Sequence, residues 1–395
     1  MRVVVVGGSL AGARVVQALR RLGSDARVTV VDAAASFAHD RPPLSKTFLA
    51  DPAAQALPVL SDDQIEALDL ESVFGLRATA LDPARRTVVL DSGRTVPYDA
   101  LVVATGSAPR TLPGLAALPG VTTLRTADDA ATIRAALHSG ARTVVVGGGF
   151  IGAEIAWAAR ARDCDVTVVE PLPAMMIRGL GPSLAEAFTR RHAAAGVRLR
   201  LGTGVTAVEG DDRVERVRLG DGTTVPADLV VVGVGTVPQT GWLGGSGLDV
   251  SDGLLCDAHL AAVGASGVYA AGDVARWHHP RYGEPIRVEH WTNAVEQAPV
   301  VAANILGKRT TYDAVPYVWS DQLGARLQIF GRIRPDDEVR YVFGGPDEAR
   351  FVAVAGRGEQ LTAVVGFGAL KQLLPYRKLL VDGATWPEAL SAVAA

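Results

Sequence analysis

Two runs of apolar residues, each leading directly into glycines, are the clearest pattern in the chain. Residues 3–6 are all valine and precede Gly7 and Gly8, while residues 144–146, again all valine, precede Gly147 at an offset of 140 residues. An uninterrupted apolar run that ends at a turn is typical of a strand buried on both faces, as in a parallel sheet. The sequence therefore predicts two buried strands, each ending in a tight turn.

The sequence after each glycine turn is also repeated. An alanine-rich segment of helical character is followed by another buried strand, which ends in an acid, Asp32 in the first copy and Glu170 in the second. Further along, residues 90–106 align without gaps on residues 219–235 and are identical at nine of 17 positions. Both segments contain a glycine turn typical of a hairpin. These repeats predict two βαβ units of the dinucleotide-binding kind.

The rest of the chain divides around these units. We predict a first, discontinuous dinucleotide-binding domain over 1–112 and 237–310, and a second over 113–236. Residues 311–395 change to short strands separated by glycine, proline and aspartate, followed by helical segments, and predict a C-terminal α+β domain. The predicted fold class is α/β, with two Rossmann-like domains and this third domain.

The glycine turns carry a specific chemical expectation. In the pattern Gly-x-Gly-x-x-Gly, the glycines allow a tight turn and let the backbone approach a pyrophosphate, which the helix N-terminus attracts. Ser9 takes the place of the middle glycine in the first copy, and its small side chain is expected to weaken that site only slightly. The alternative is a pair of ordinary βαβ units that bind nothing. The pattern glycines are Gly7 and Gly12 in the first copy, and Gly147, Gly149 and Gly152 in the second.

The acids that end the second strands extend this expectation. Asp32 lies 25 residues after Gly7, and Glu170 lies 23 residues after Gly147, so both are placed to bind ribose hydroxyls. A carboxylate at Glu170 would repel a 2′-phosphate, which predicts NADH rather than NADPH as the nicotinamide cofactor. Alternatively, Glu170 only faces solvent at the end of its strand.

Composition and charge argue against several classes of protein. The 395 residues carry a net charge of −3, so the chain lacks the basic excess of a nucleic-acid-binding protein. No apolar run reaches the roughly 18 residues of a transmembrane helix, and the start of the chain predicts a strand rather than a signal peptide. We therefore expect a cytoplasmic protein without a membrane or nucleic-acid partner. Cys164 and Cys256 lie far apart and predict neither a disulfide framework nor a metal site.

Four further segments resemble one family. Together they are similar to the FAD-dependent ferredoxin reductases that serve bacterial cytochrome P450 and ring-hydroxylating dioxygenase systems. The resemblance implies a glutathione-reductase-like fold, with FAD in the first dinucleotide-binding domain and NADH in the second. It implies hydride transfer from NADH to FAD, then single-electron transfer to a [2Fe–2S] ferredoxin. The segments are Arg-Pro-Pro-Leu-Ser-Lys at 41–46, Gly-Asp-Val-Ala at 272–275, Trp-Thr-Asn-Ala-Val-Glu-Gln at 291–297 and Val-Pro-Tyr-Val-Trp-Ser-Asp-Gln at 315–322.

The resemblance also implies site residues. Asp273 would hydrogen-bond the ribityl chain, Trp291 would cap the pyrimidine edge of the flavin, and Trp319 would lie near the nicotinamide. The residues implied for FAD are Gly7, Ser9, Leu10, Ala11, Gly12, Asp32, Arg41, Lys46, Ala78, Thr105, Gly106, Arg125, Asp273 and Trp291. Those implied for NADH are Gly147, Gly149, Phe150, Ile151, Gly152, Glu154, Glu170, Arg178, Gly235 and Trp319.

Lys46 and Glu154 are predicted to be the catalytic pair. A lysine near flavin N5 would favour electron density arriving there, and a carboxylate would hold the lysine and contact the nicotinamide amide. Glu154 follows Gly152 by two residues, which places it in the first helical turn, where the helix dipole favours an acid. The alternatives are a surface lysine and a helix-start acid without a ligand.

Other candidates have plain structural alternatives. Asp273 could form only an Asx turn, and Trp291 and Trp319 could be ordinary core aromatics. Related two-dinucleotide enzymes that reduce disulfides need a cysteine pair near the flavin and a C-terminal histidine. No cysteine lies between Asp32 and Arg77 and no histidine follows residue 290, which argues against such chemistry.

Two rival functions remain open from the sequence. One is an NADH oxidase, or a reductase of quinones or other small acceptors. The other is a redox-responsive flavoprotein similar to apoptosis-inducing factor.

Overall fold

A computed structural model describes residues 1–112 and 118–392. In chain order the helices are α1 (Leu10–Arg21), α2 (Thr47–Ala50), α3 (Asp62–Ala67), α4 (Ala127–Ala136), α5 (Phe150–Arg160), α6 (Ile177–Ala194), α7 (Trp291–Ile305), α8 (Leu370–Asp382) and α9 (Trp386–Ser391), with short 3-10 helices at Pro42–Ser45 and Gly241–Leu243.

The strands, in the same order, are β1 (Arg2–Val6), β2 (Arg27–Asp32), β3 (Leu70–Phe74), β4 (Ala78–Asp82), β5 (Thr87–Leu90), β6 (Thr95–Pro97), β7 (Ala100–Val103), β8 (Ser107–Pro109), β9 (Val121–Thr123), β10 (Arg142–Val146), β11 (Asp165–Glu170), β12 (Arg198–Leu201), β13 (Val205–Glu209), β14 (Arg216–Leu219), β15 (Thr224–Pro226), β16 (Leu229–Val232), β17 (Thr236–Pro238), β18 (Leu254–Cys256), β19 (Val268–Ala270), β20 (Ala275–His279), β21 (Glu284–Arg287), β22 (Tyr317–Gln322), β23 (Ala325–Gly331), β24 (Glu338–Phe343), β25 (Phe351–Arg357) and β26 (Gln360–Phe367).

The first compact unit comprises Met1–Asp40, Leu57–Ala108 and Thr236–Ala314. Its main sheet is parallel, with strands in the order β19-β7-β1-β2-β3. The central strand β1 contains the first all-valine run, and its valines are at most 4 % exposed. Burial on both faces explains why the run carries no polar residue.

The second compact unit comprises Arg41–Ala56, Pro109–Gly235 and Val315–Ala395. Its main sheet is also parallel, in the order β12-β11-β10-β16-β9. Strand β10 corresponds to β1, and the strands on either side correspond as well, so the duplicated sequence folds into duplicated sheets.

The second unit also contains the C-terminal sheet. Its five strands lie in the order β22-β23-β26-β25-β24 and are antiparallel. One face carries α8 and α9, through Leu373, Tyr376 and Trp386. On the opposite face, Phe351 and Phe367 pack against Phe188 of α6. This confirms a C-terminal α+β region after two Rossmann-like folds.

The segment Arg41–Ala56 is fixed in the second unit although it lies early in the chain. The Arg134 guanidinium lies 4.0 Å from the ring centre of Phe48, and its Nη1 donates to the Ala54 carbonyl oxygen at 2.8 Å. Arg162 Nη1 donates to the Leu49 carbonyl oxygen at 3.2 Å. The segment that carries Lys46 is therefore bound to α4 and to the end of α5. The three predicted domain ranges stay a prediction, and the boundary at residue 113 and the end at 395 fall outside the described residues.

Each parallel sheet has an equivalent arginine–aspartate ion pair at the start of its central strand. Asp99 accepts from the Arg2 amide at 2.7 Å and from Arg2 Nη2 at 2.9 Å. In the second copy, Asp228 accepts from the Arg142 amide at 2.9 Å and from its guanidinium. These arginine hydrogen bonds lower the pKa of each carboxyl to about 2. Each pair holds the start of the central strand beside its neighbour.

Among the helices that the structure describes, none is long and apolar enough to cross a membrane.

Candidate functional site

The first glycine turn joins β1 to α1 with almost no space for side chains. A Cβ on Gly7, whose φ is +121°, would lie 2.2 Å from the Ala104 carbonyl oxygen. A Cβ on Gly12 would lie 2.0 Å from the Gly7 carbonyl oxygen. Ser9 precedes the helix, and its side chain makes no capping hydrogen bond. The turn thus presents backbone N–H groups at the start of α1, as an anion-binding helix terminus requires.

Asp32 ties this turn to the end of β2. One carboxylate oxygen accepts from the Gly8 amide at 2.6 Å, and the other accepts from the Ala34 amide at 2.7 Å. A carboxylate has about four lone-pair positions, so each oxygen can still accept a hydroxyl group. The predicted acid therefore organises the turn and retains capacity for a ribose.

Gly272, far along the chain from the first glycine turn, lies beside the start of α1 in the first unit. A Cβ on Gly272 would lie 3.0 Å from Ala11 Cβ and 3.6 Å from Ala294 Cβ, so the starts of α1 and α7 both approach it. The Gly272 amide donates to Gln297 Oε1 at 2.8 Å. Gln297 is fully buried, and its Nε2 has no partner among the residues described.

Asp273 Oδ2 accepts from the Ser107 hydroxyl at 2.7 Å, so this acid is tied to the start of β8. Trp291 Nε1 donates to Asp40 Oδ1 at 2.8 Å, which fixes the indole at the start of α7. Thr105 Oγ1 donates to the Gln239 carbonyl oxygen at 2.8 Å. The first unit also contains the predicted residues Leu10, Ala78 and Gly106.

The second glycine turn repeats the first closely. A Cβ on Gly147 would lie 2.3 Å from the Gly233 carbonyl oxygen, and one on Gly152 would lie 2.1 Å from the Gly147 carbonyl oxygen. A Cβ on Gly149 would meet nothing within 4 Å in the part of the chain described. This middle position is therefore open, and α5 starts there without a side-chain cap.

Glu170 accepts hydrogen bonds from the second glycine turn in the way that Asp32 does from the first. Its Oε2 accepts from the Gly148 amide at 2.7 Å, and its Oε1 accepts from the Leu172 amide at 2.9 Å. The side chain is buried. The two backbone donors fix the carboxylate directly at the turn and leave lone pairs on both oxygens.

Lys46 and Glu154 form a buried ion pair in the second unit. Lys46 Nζ lies 3.0 Å from Glu154 Oε2, and the two side chains are 13 % and 5 % exposed. Ser45 Oγ donates to the same carboxylate oxygen, while Ser320 Oγ donates to Oε1 at 2.6 Å. The alternative of a surface lysine is wrong, because the Lys46 side chain is only 13 % exposed and is ion-paired. That Glu154 contacts a ligand stays a prediction.

One detail of the Glu154 prediction is wrong. Helix α5 begins at Phe150, so Glu154 is its fifth residue, and the first turn contains no acid. The dipole effect falls off beyond the first turn. Three side-chain donors rather than the helix terminus therefore stabilise this carboxylate.

Other residues predicted for the nicotinamide cofactor lie elsewhere in the second unit. The ring of Phe150 lies against Gly179, where a Cβ would come within 2.7 Å of it. Ile151 is 47 % exposed. Arg178, Gly235 and Trp319 complete this set in the same unit.

Three residues that the resemblance assigns to FAD belong to the second unit, namely Arg41, Lys46 and Arg125. Arg125 directly precedes the cap of α4, where the Thr126 hydroxyl accepts from the Asp129 amide at 3.1 Å. The Asp129 carboxylate in turn accepts from the Arg125 amide at 2.9 Å. The backbone at Arg125 is therefore fixed by the helix start that follows it.

Sequence reasoning predicted Lys46 but missed the two serine partners of Glu154. Ser45 and Ser320 lie inside segments that carry the family resemblance, but nothing local marks them as carboxylate donors. Gln322 and His192 continue the hydrogen bonding behind Ser320, with Gln322 Nε2 2.9 Å from Ser320 Oγ and Gln322 Oε1 2.7 Å from His192 Nε2. The one available signal was the alternation of Ser320 and Gln322 along a strand, which puts both on one face.

Neither cysteine is placed for redox chemistry. Cys164 and Cys256 are both free and buried, and burial raises the pKa of each thiol. A reactive cysteine needs an accessible thiolate, so both are structural. In the two described stretches of the chain, no group of three His, Cys, Asp or Glu side chains could hold a metal ion.

Two Rossmann-like folds with matching glycine turns, followed by an antiparallel C-terminal sheet, define a class of pyridine-nucleotide-linked oxidoreductases. The chain belongs to the pyridine nucleotide-disulphide oxidoreductase family, which matches residues 1–298, and residues 317–394 match the reductase C-terminal domain.

The most informative relatives are ferredoxin reductases. The chain is 34 % identical over 389 residues to putidaredoxin reductase CamA of Pseudomonas putida, covering 95 % of this chain and 92 % of that protein. It is 34 % identical over 388 residues to the ferredoxin–NAD(+) reductase component of an anthranilate 1,2-dioxygenase system of Burkholderia cepacia, covering 96 % and 94 %. The reductase in a covalent putidaredoxin reductase–putidaredoxin complex superposes with a TM-score of 0.92 at 33 % identity, covering 97 % and 93 %. The predicted family is confirmed.

Proposed function

We propose that this chain is an NADH-dependent, FAD-containing ferredoxin reductase that supplies electrons to a cytochrome P450 or a ring-hydroxylating dioxygenase through a [2Fe–2S] ferredoxin. The observation that carries the proposal is the buried Lys46–Glu154 pair, held two residues beyond the second glycine turn. Relatives named as ferredoxin reductases over nearly the whole chain support the same function.

The first unit fits FAD. Its glycine turn offers uncapped backbone N–H groups for a pyrophosphate, and Asp32 keeps lone pairs for a ribose. The orphaned Gln297 Nε2 beside Gly272 is a buried donor that a bound ligand could satisfy. When bound, FAD accepts a hydride from NADH and passes electrons on one at a time.

The second unit fits NADH. Its glycine turn leaves the middle position open at Gly149, and Glu170 lies directly at the turn. A buried carboxylate there would accept ribose hydroxyls and repel a 2′-phosphate, so NADH is preferred over NADPH.

Lys46 and Glu154 supply the polar groups of the proposed hydride-transfer site. Lys46 is held by Glu154 and by the Pro42 carbonyl oxygen at 3.2 Å, so its ammonium group has a fixed direction. Fixed charges cost no reorganisation when a reaction takes place near them. The pair orients the reactants, and neither residue needs to transfer a proton.

The test is cytochrome c reduction by NADH, measured with and without candidate [2Fe–2S] proteins. We expect strong stimulation by a matching ferredoxin and a much lower rate without it. Fast turnover with oxygen, quinones or dyes and no gain from any ferredoxin would instead identify a reductase of small acceptors. A long-lived reduced complex that changes oligomeric state would identify a redox-responsive flavoprotein.

A further inference from the structure

A row of hydrogen bonds leads from Glu154 into the interior of the second unit. Ser320 Oγ lies 2.6 Å from Glu154 Oε1, Gln322 Nε2 lies 2.9 Å from Ser320 Oγ, and His192 Nε2 lies 2.7 Å from Gln322 Oε1. We call Ser320, Gln322 and His192 the polar row.

The polar row is deeply buried. Ser320 and Gln322 are 1 % exposed and His192 is fully buried. His192 follows Phe188 by four residues on α6, so both lie on the face of the helix that packs into the apolar core. Polar groups are costly in such a place unless hydrogen-bonded, and apolar residues would pack there without that requirement.

The Glu154 carboxylate determines which atom donates in each hydrogen bond of the polar row. An ionised carboxylate only accepts, so the Ser320 hydroxyl must donate to it and must accept from the Gln322 amide group. The Gln322 oxygen then accepts from His192, which carries its proton on Nε2. Burial lowers the pKa of His192 and keeps the ring neutral. Every hydrogen bond of the row thus has one direction.

The row ends inside the protein. His192 Nδ1 is buried and has no partner among residues 1–112 and 118–392. No described protein group continues the row beyond His192, so what its hydrogen bonds supply is a fixed orientation for each side chain in it.

A side branch connects the row with the second glycine turn. Gln322 Nε2 lies 3.5 Å from Met176 Sδ, and the Met176 amide donates to the Gly148 carbonyl oxygen at 2.7 Å. Gln322 therefore contacts both Ser320, which donates to Glu154, and Met176, which donates to the second glycine turn.

We propose that Ser320 is a positioning residue for hydride transfer: backed by Gln322 and His192, it fixes Glu154 Oε1 so that Oε2 stays on Lys46. This inference rests on the proposed function, because the orientation matters only if the Lys46–Glu154 pair serves a nicotinamide.

The test compares variants of the FAD-loaded protein. Ser320→Ala removes the donor to Glu154, Gln322→Met removes its support, and Ser320→Thr restores the hydroxyl. The matched control is Thr362→Val, because Thr362 Oγ1 on β26 also donates to a carboxylate, Asp337 Oδ2 at 2.8 Å, in the same sheet. Stopped-flow absorbance gives the rate constant of flavin reduction at saturating NADH.

Misplacing a reacting group by 1 Å can cost about a hundredfold in rate, so we expect a loss of about tenfold in Ser320→Ala and less in Gln322→Met. Ser320→Thr should recover most of the rate, and Thr362→Val should match the wild type. If Gln322→Met does not fold, Ser320→Ala decides the question.

A second readout needs no NADH. Acetylation of Lys46 by acetic anhydride, followed by mass spectrometry, should be faster in Ser320→Ala because Glu154 then holds the ammonium less firmly. Equal Lys46 labelling and equal flavin reduction in Ser320→Ala and Thr362→Val would overturn the positioning role. A wild-type protein that NADH cannot reduce would overturn the proposed function, while the labelling would still decide whether Ser320 fixes the pair.

Discussion

The two glycine turns are nearly identical in backbone geometry and differ in what the following helix carries. In each, the third pattern glycine lies against the carbonyl oxygen of the first, and a strand-end carboxylate accepts from the turn. Two residues after that third glycine, the first copy has Arg14, whose Nη1 donates to Gln17 Oε1 at 2.6 Å. The second copy has Glu154, buried with Lys46 and two serines.

This difference distinguishes the residues proposed to bind the cofactors from those proposed to assist hydride transfer. The geometry that both copies share is the part proposed to bind a dinucleotide, since it consists of backbone N–H groups and one acid. The position that diverged is the part needed at the proposed hydride-transfer site alone. The two copies therefore share the turn, and only the second has a buried charged pair at this position.

The largest expected effect comes from filling the shared turn. Gly12→Ala and Gly152→Ala would each place a Cβ about 2 Å from a backbone oxygen. Overpacking of this kind costs about 1–3 kcal/mol, and a cost of that size taken from binding lowers affinity about 5- to 150-fold. We expect Gly12→Ala to lose FAD, measured by absorbance of the purified protein, and Gly152→Ala to keep FAD but bind NADH weakly, measured by titration.

Gly204→Ala is the matched control for these two changes, because a Cβ there would meet nothing within 4 Å among the described residues. If Gly152→Ala released FAD and left NADH binding unchanged, the assignment of the two cofactors to the two turns would be wrong.

Substitution of Glu154, the position at which the two copies differ, should have the next largest effect. In Glu154→Gln, the amide group would face Ser45, Lys46 and Ser320, which all donate to this site, and Lys46 would lose its counter-charge. We expect flavin reduction by NADH to slow about a hundredfold, while Arg14→Gln at the corresponding position stays at the wild-type rate. Stopped-flow reduction measures both, and equal rates in the two variants would remove the distinction between the copies.

These partners also show how far the sequence could predict the site. Strands, turns and terminal acids depend on residues close together in the chain, so the repeat revealed them in both copies. Ser45, Lys46 and Ser320 lie 109, 108 and 166 residues from Glu154, and only the folded second unit brings them to it. Glycine spacing predicted the two turns, and the family resemblance predicted Lys46 and Glu154. The serine partners of Glu154 could be found only from the packing of Arg41–Ala56 and β22 against α5.

Substitution of the two strand-end acids should have smaller effects than substitution of Glu154, and the effects should differ between the copies. Glu170→Ala removes the charge expected to repel a 2′-phosphate, so the ratio of kcat/KM for NADPH to that for NADH should rise about tenfold. Asp32→Ala should reduce FAD retention and leave that ratio unchanged. Steady-state kinetics with both nucleotides tests this, and a fixed ratio in Glu170→Ala would show that the acid does not discriminate between them.

The smallest effect concerns the ion pairs that begin both sheets, where the copies should behave alike. The arginine partners hold the pKa of Asp99 and Asp228 at about 2, below the ordinary value of 3.8. A carboxyl with a lowered pKa stabilises the fold above its unfolded pKa, and that contribution is lost as the pH falls from about 4 towards 2. Because the side chains of both pairs are 34–52 % exposed, Asp99→Asn and Asp228→Asn should each lower Tm at pH 7 by no more than about 2 °C. The difference from the wild type should vanish near pH 2, and a difference that persisted there would mean that packing, rather than charge, makes these aspartates stabilising.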